Sequence, residues 1–199
     1  VTALGIALIT TAGTNVKVVS TADADAAATE GQLDPASYAA EQFPAIVDTI
    51  DAEAVDLPEL LTQLADGADE SEFGNTSGAS SAYAFPVTFT AVAEAATPPV
   101  MPVIVEGVPP ETTVQVQVGP ALNGTALRDV TGEISFNEFT NQLEYQSVAT
   151  ELNDLVRTEV LADFDAAAAE GKTITVTGTF LRVNPQLVSV VPTSIEVTP

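Results

Sequence analysis

The chain has 199 residues, 28 of them acidic and 5 basic, giving a formal charge of −23, and 46% are hydrophobic. It is long enough and apolar enough to bury a core, and too negative to favour nucleic acid or an anionic membrane surface. Neither Cys nor His occurs in it, which excludes thiol catalysis, disulfides, zinc sites of the usual ligand types and imidazole acid–base chemistry. The acidity fits an exported protein kept soluble by charge, or life in high salt where self-repulsion is screened.

Val1–Ala12 (VTALGIALITTA) is apolar and uncharged and ends in small residues. It is shorter than the roughly 20 residues that span a bilayer. It reads as the end of a signal sequence or as part of a membrane anchor, with a buried first strand as the alternative. Thr21–Gln32 is small and acidic, like a tether, so residues 1–33 form a first segment of anchor or signal remnant plus tether.

Residues 34–81 form a helical segment and loop. Asp34-Pro35 is a helix start, with Asp as N-cap and Pro at the first helical position. Tyr38, Phe43, Ile46, Val47 and Ile50 follow at near-helical spacing. Pro44 cannot donate to Ala40, so the helix should kink or break there. Asp56-Leu-Pro-Glu59 opens a shorter helix through Leu60, Leu61 and Leu64 that stops at Gly67. Ala68–Ser81 is loop by composition. Its acidic run Asp66–Glu72 lacks EF-hand spacing, as does Asp23–Asp25, and no metal or cofactor is expected.

From residue 82 to 199 the period becomes extended. Tyr83–Ala93, Val103–Val105 and Thr112–Val118 read as strands, the last alternating so that Gln115 and Gln117 look outward. An amphipathic helix follows through Val148, Leu152, Leu155, Val156 and Val160. Thr173–Arg182 and Leu187–Val197 then form a hairpin. Three strands, a helix and two more strands is the order of an OB-like five-stranded Greek-key barrel. The predicted class is thus α+β, mainly β, with an N-terminal helical segment and a helix between strands 3 and 4 that plugs one end. An immunoglobulin-like sandwich is the alternative, but it has no natural place for that helix.

The polar run Gly119–Asn153 carries the candidate binding residues Arg128, Asp129, Asn137, Asn141, Gln142 and Asn153. Arg128 stands alone in an acidic region, with Asp129, Glu133 and Glu138 as its nearest carboxylates. It is either a structural ion partner or a five-donor fork held ready for a ligand. Ser135 and Glu138 have capping-box spacing, and Phe136 and Phe139 look like plugs for the barrel mouth. Amides, Arg, Asp and aromatic rings together make a kit suited to a neutral sugar. A glycosidase would need Asp129 and Glu138 facing each other across a cleft, which nothing in the sequence indicates. A Ser–Lys dyad would have only Lys172 to draw on. No enzyme activity is expected.

The block VQVGPALNGTALRDVTGEISFNEFTNQLEYQSVATELND resembles a bacterial family of unknown function, number 2291, of predicted periplasmic lipoproteins. DPASYAAEQFPAIV, GKTITVTGTF and VVPTSIEV agree with it, so the resemblance spans Asp34 to Val197. The matching motif positions are Gly119, Pro120, Gly124, Thr125, Arg128, Asp129, Phe136, Phe139, Asn141, Gln142 and Asn153, none with an assigned role. The resemblance implies an OB-like barrel and an extracytoplasmic accessory to sugar uptake, because members are often encoded beside ribose-type sugar ABC-transporter genes. The expected partners are transporter components or a small carbohydrate, with a possible membrane tether through residues 1–12. One departure is that no residue here is a Cys able to carry a lipid. The competing reading is a structural protein that self-associates through strand edges and its apolar N-terminus.

Overall fold

Helix α1 (Pro35–Glu53) begins where the Asp34 carboxylate accepts a hydrogen bond from the Ser37 backbone N–H, as the Asp-Pro signal predicts. It runs on unbroken past Pro44 and buries Ala39, Phe43, Ile46 and Ile50 on one face. The computed structural model describes residues 33–78 and 81–198; the apolar stretch 1–12 and the tether lie outside them. Strand β1 (Val55–Asp56) leads directly into α2 (Leu57–Ala65), whose N-cap is Asp56 and which ends at Gly67, with a φ of +93°.

Five strands follow: β2 (Ala84–Ala93), β3 (Val100–Val105), β4 (Thr113–Gln117), β5 (Thr173–Leu181) and β6 (Leu187–Val197). They pair in the ring β2-β3-β4-β6-β5, closed by β5 against β2. Only β4–β6 is parallel within the ring. This is the predicted five-stranded OB-type barrel. On its other side β2 meets β3 at residues 91–93, while its earlier part pairs with β1 in parallel at Val87 and Thr88. A bulge at Thr177/Gly178 bends β5 against β6. A Cβ on Gly178 would lie 2.3 Å from the Val191 carbonyl oxygen, so only glycine permits this approach.

Alternate residues of the strands fill the interior, Phe85, Val87 and Phe89 from β2 meeting Met101, Val116, Val176 and Phe180. The Phe85 and Phe180 ring centroids lie 5.5 Å apart. The helix that enters this interior is α2, through Leu57, Leu60, Leu61 and Leu64. That corrects the expectation that the helix between strands 3 and 4 would be the plug. That helix, α4 (Gln142–Leu155, continued by a π-turn over Val156–Val160), instead packs against α1. Tyr145, Val148 and Leu152 of α4 join Phe43 and Ile46 of α1, with Ala84 and Val191 from the barrel wall. An amphipathic pattern shows that a face is buried, not what covers it. Two short helices complete the fold, α3 (Ala126–Asp129) before α4 and α5 (Ala166–Ala169) before β5.

The described residues gather into one compact unit, so the helices of the predicted segment 34–81 pack into the same core as the barrel. Three local readings also change. Gln117 is buried rather than outward, because the loop after β4 folds over it. Phe139 is buried in the helical layer rather than at the barrel mouth, edge-on to Tyr38. Phe136 is half exposed and meets Tyr145 edge to face.

Candidate functional site

The loop from β4 to α3 is locked by side chains. The Gln117 carboxamide accepts from the Asn123 N–H at 2.7 Å and donates to the Asn123 carbonyl at 3.1 Å. Asn153, reaching over from α4, donates from Nδ2 to the Gly124 carbonyl at 3.0 Å. Gly124 has a φ of +102°, a conformation L side chains rarely adopt. Asn123 and Gly124 are thus held as a fixed ridge between two hollows.

Below the ridge, Arg128 and Asp129 are 5% and 3% exposed. Arg128 donates Nε to Asp129 Oδ1 at 2.8 Å and Nη2 to Oδ2 at 3.2 Å, a two-point pair. Its Nη1 donates to the Tyr145 carbonyl, and the guanidinium carbon sits 3.7 Å from the Tyr145 ring centroid. Thr125 Oγ1 donates to Asp129 Oδ2 at 2.6 Å. The ion-partner reading of Arg128 therefore describes its contacts. A buried pair of this kind is held by its geometry and added hydrogen bonds, which offset the loss of water around both charges.

Above Arg128 lies a pocket of about 340 Å³ between α4 and the ridge. Asn123, Thr125, Gln142, Gln146, Thr150 and Asn153 line it, with Leu122 and Ala149. Three of the predicted residues, Arg128, Gln142 and Asn153, meet there, with Asp129 beneath them. Asn153 is 6% exposed, and its Oδ1 is buried with no hydrogen-bond partner. A buried acceptor of this kind is costly unless a donor reaches it.

Asn141 and Asn137 do not line the pocket. Asn141 caps α4, its Oδ1 accepting from the Leu143 and Glu144 N–H groups at 2.9 and 3.0 Å, while its Nδ2 donates to Glu144 Oε1. Asn137 is exposed on the single turn Phe136–Glu138, where Ser135 and Glu138 close the predicted capping box. Glu138 also accepts from the Tyr38 hydroxyl at 3.0 Å. Burial and that bond push the Tyr38 hydroxyl pKa up to about 12.

Gln146 and Thr150 were not among the sequence candidates. The signal for them is periodic, since Gln142, Gln146, Thr150 and Asn153 follow one another at helical spacing and form the polar stripe of α4. Across the ridge, sharing Asn123 and Gly124, is a second pocket of about 330 Å³. Leu181, Val183, Leu187 and Val191 give it a mainly apolar lining, to which Gln117, Asn184 and Ser189 also contribute. The β5–β6 turn on its rim is tethered by an ion pair from Arg182 to Glu70. Among the described residues no group of three or more Asp, Glu, His or Cys is arranged to hold a metal ion. None of their helices is long and apolar enough to cross a membrane.

A family model described as predicted periplasmic lipoprotein, of unknown function 2291, matches residues 4–196. The chain belongs to that family. Members of family 2291 are assigned to the extracytoplasmic compartment by that description, and this location holds for the chain. A solved OB-fold protein from Thermotoga maritima is 20% identical, with a TM-score of 0.66 over 83% of this chain and 99% of that one. At that identity the likeness speaks for the barrel alone, and it agrees with the ring of strands described above. No curated protein matches the chain.

Proposed function

We propose that this family 2291 protein is a non-enzymatic extracytoplasmic binding module that serves a sugar ABC transporter and takes a neutral, hydroxylated ligand in the pocket above Arg128. The observation that carries the reading is the pocket's charge balance. The one cation in its wall is already neutralised by Asp129, and the remaining polar lining is amide and hydroxyl. Such a surface matches the alternating donors and acceptors of a sugar and gives an anion little to pair with. The strongly negative chain opposes anions further.

The carboxylates that a glycosidase would use are committed elsewhere, which supports a binding role. Asp129 is buried under Arg128, and Glu138 is held by the Ser135 N–H and the Tyr38 hydroxyl. Among the described residues, strand-edge self-association has little to work with, because β2 to β6 pair in a closed ring and the edge strand β1 is two residues long.

Ligand-observed NMR against a panel of neutral monosaccharides tests the pocket. Saturation transfer to at least one sugar, lost in Gln146→Ala/Thr150→Ala, is the expected result. Transfer to none, or transfer indifferent to that double variant, overturns the reading. For the transporter partner, affinity capture from solubilised native membranes should recover a sugar permease or its binding protein. Recovery of this chain alone would contradict it.

A further inference from the structure

The two hollows beside the ridge differ in chemistry but not in size, at about 340 and 330 Å³. The first is walled by amides and hydroxyls. The second is walled by Leu181, Val183, Leu187 and Val191. Asn123 and Gly124 belong to both walls, so the pockets lie side by side with only this ridge between them. The ridge is braced from both sides, by Gln117 on one and Asn153 on the other. Gly124 has no side chain to block passage over its crest, and a Cβ built there meets nothing within 4 Å.

Exposure adds a second observation. Val183 is 77% exposed and Leu187 37% exposed. Both stand on the rim of the apolar hollow, where covering them would remove hydrocarbon from water. We infer that the two hollows form one composite site for an amphiphilic glycoside, its sugar ring above Arg128 and its alkyl or aryl aglycone across the ridge on Val183 and Leu187. The inference rests on the sugar-pocket reading and narrows its ligand class from a free sugar to a sugar bearing an apolar substituent. The substituent takes the space that a free monosaccharide leaves empty. The binding energy divides accordingly, with hydrogen bonds orienting the ring and hydrocarbon burial adding affinity.

Calorimetric titration of the full chain with paired methyl and hexyl glycosides of several neutral sugars, the hexyl members kept below micelle formation, tests this. For the sugar that binds, the hexyl glycoside should bind at least about tenfold more tightly than its methyl partner. Val183→Asp, alone and with Leu187→Asp, should bring the hexyl glycoside down to the affinity of its methyl partner. Gln146→Ala/Thr150→Ala should weaken both members alike. Equal affinities within every pair, or a hexyl advantage that survives the double Asp variant, would overturn the composite site and leave the sugar pocket standing. Hexyl binding untouched by Gln146→Ala/Thr150→Ala would defeat the sugar reading itself. Absence of binding by every pair would overturn both.

Discussion

Inside the barrel, Phe85, Val87, Met101 and Phe180 belong to a cluster of hydrocarbon side chains. In the layer beside it, Arg128, Asp129, Glu144 and Asn153 are buried almost as deeply among polar partners. The barrel interior tolerates any set of apolar groups that fills its volume, and the cost of a change there scales with the space left empty. The buried polar groups of the layer beside it are specified by donors and acceptors, and the cost of changing them comes in whole interactions. The proposed pocket lies against the second region, where Thr125, Arg128, Asp129 and Asn153 are held by hydrogen bonds.

Thermal or denaturant unfolding can break this comparison. Phe180→Ala should cost about 3–5 kcal/mol, with Phe180→Leu recovering most of it because volume is what counts. Arg128→Ala should also cost about 3–5 kcal/mol, by leaving Asp129 buried without its partner. Arg128→Lys should recover little, since an ammonium cannot reproduce the two-point fork. If Arg128→Lys restored stability as fully as Phe180→Leu does, the distinction between the regions would fail.

Replacing both members of the pair sharpens the point. Arg128→Met/Asp129→Leu should be less damaging than Arg128→Ala alone, because no charge is then left unpaired. A double variant worse than the single one would mean that the layer depends on the Thr125 and Tyr145 bonds more than on the ion pair. A smaller effect is expected at Asn141, where Asn141→Ala should cost about 1 kcal/mol through loss of the α4 cap. Sugar affinity should be unchanged, and a large loss of affinity in a stable variant would return Asn141 to the binding site.

The least costly change concerns Tyr38. Its folded pKa of about 12 lies above the ordinary value of 10.0, so the unfolded chain ionises first as pH rises. The stability it contributes is complete below pH 10 and is lost as pH climbs towards 12. A pH series of melting curves should therefore show a shallower alkaline decline in Tyr38→Phe than in the wild type. Identical slopes above pH 10 would remove Tyr38 from the alkaline transition.

The barrel was legible in the sequence because each strand carries its own period and turn signals. The hairpin strand Leu187–Val197 matches its predicted limits, and the strand–helix order led to the correct ring. What failed was assignment of partners between elements. The leucines of α2 and the apolar stripe of α4 look alike in sequence, yet one enters the barrel and the other packs on α1. Alternation put Gln117 on the outer face but could not reveal the loop that folds over it. In the site, Arg128 and Asp129 were readable as a pair because no other basic residue is near them in the chain. Gln146 and Thr150 were hidden, since a polar stripe on a helix is ordinarily just its solvated side. Asn137 and Asn141 drew notice as amides, although their tasks are exposure on a turn and capping of α4.

With Arg128 neutralised by Asp129, the proposed pocket carries no free charge. Side-by-side titration with a neutral sugar and its uronic-acid or phosphorylated counterpart tests it most directly, at low and high salt. The neutral sugar should bind with an affinity that salt hardly changes, while the charged counterparts bind more weakly or not at all. Tighter binding of the anion, weakened by salt and abolished in Arg128→Met, would show the guanidinium free to meet a ligand and would contradict it.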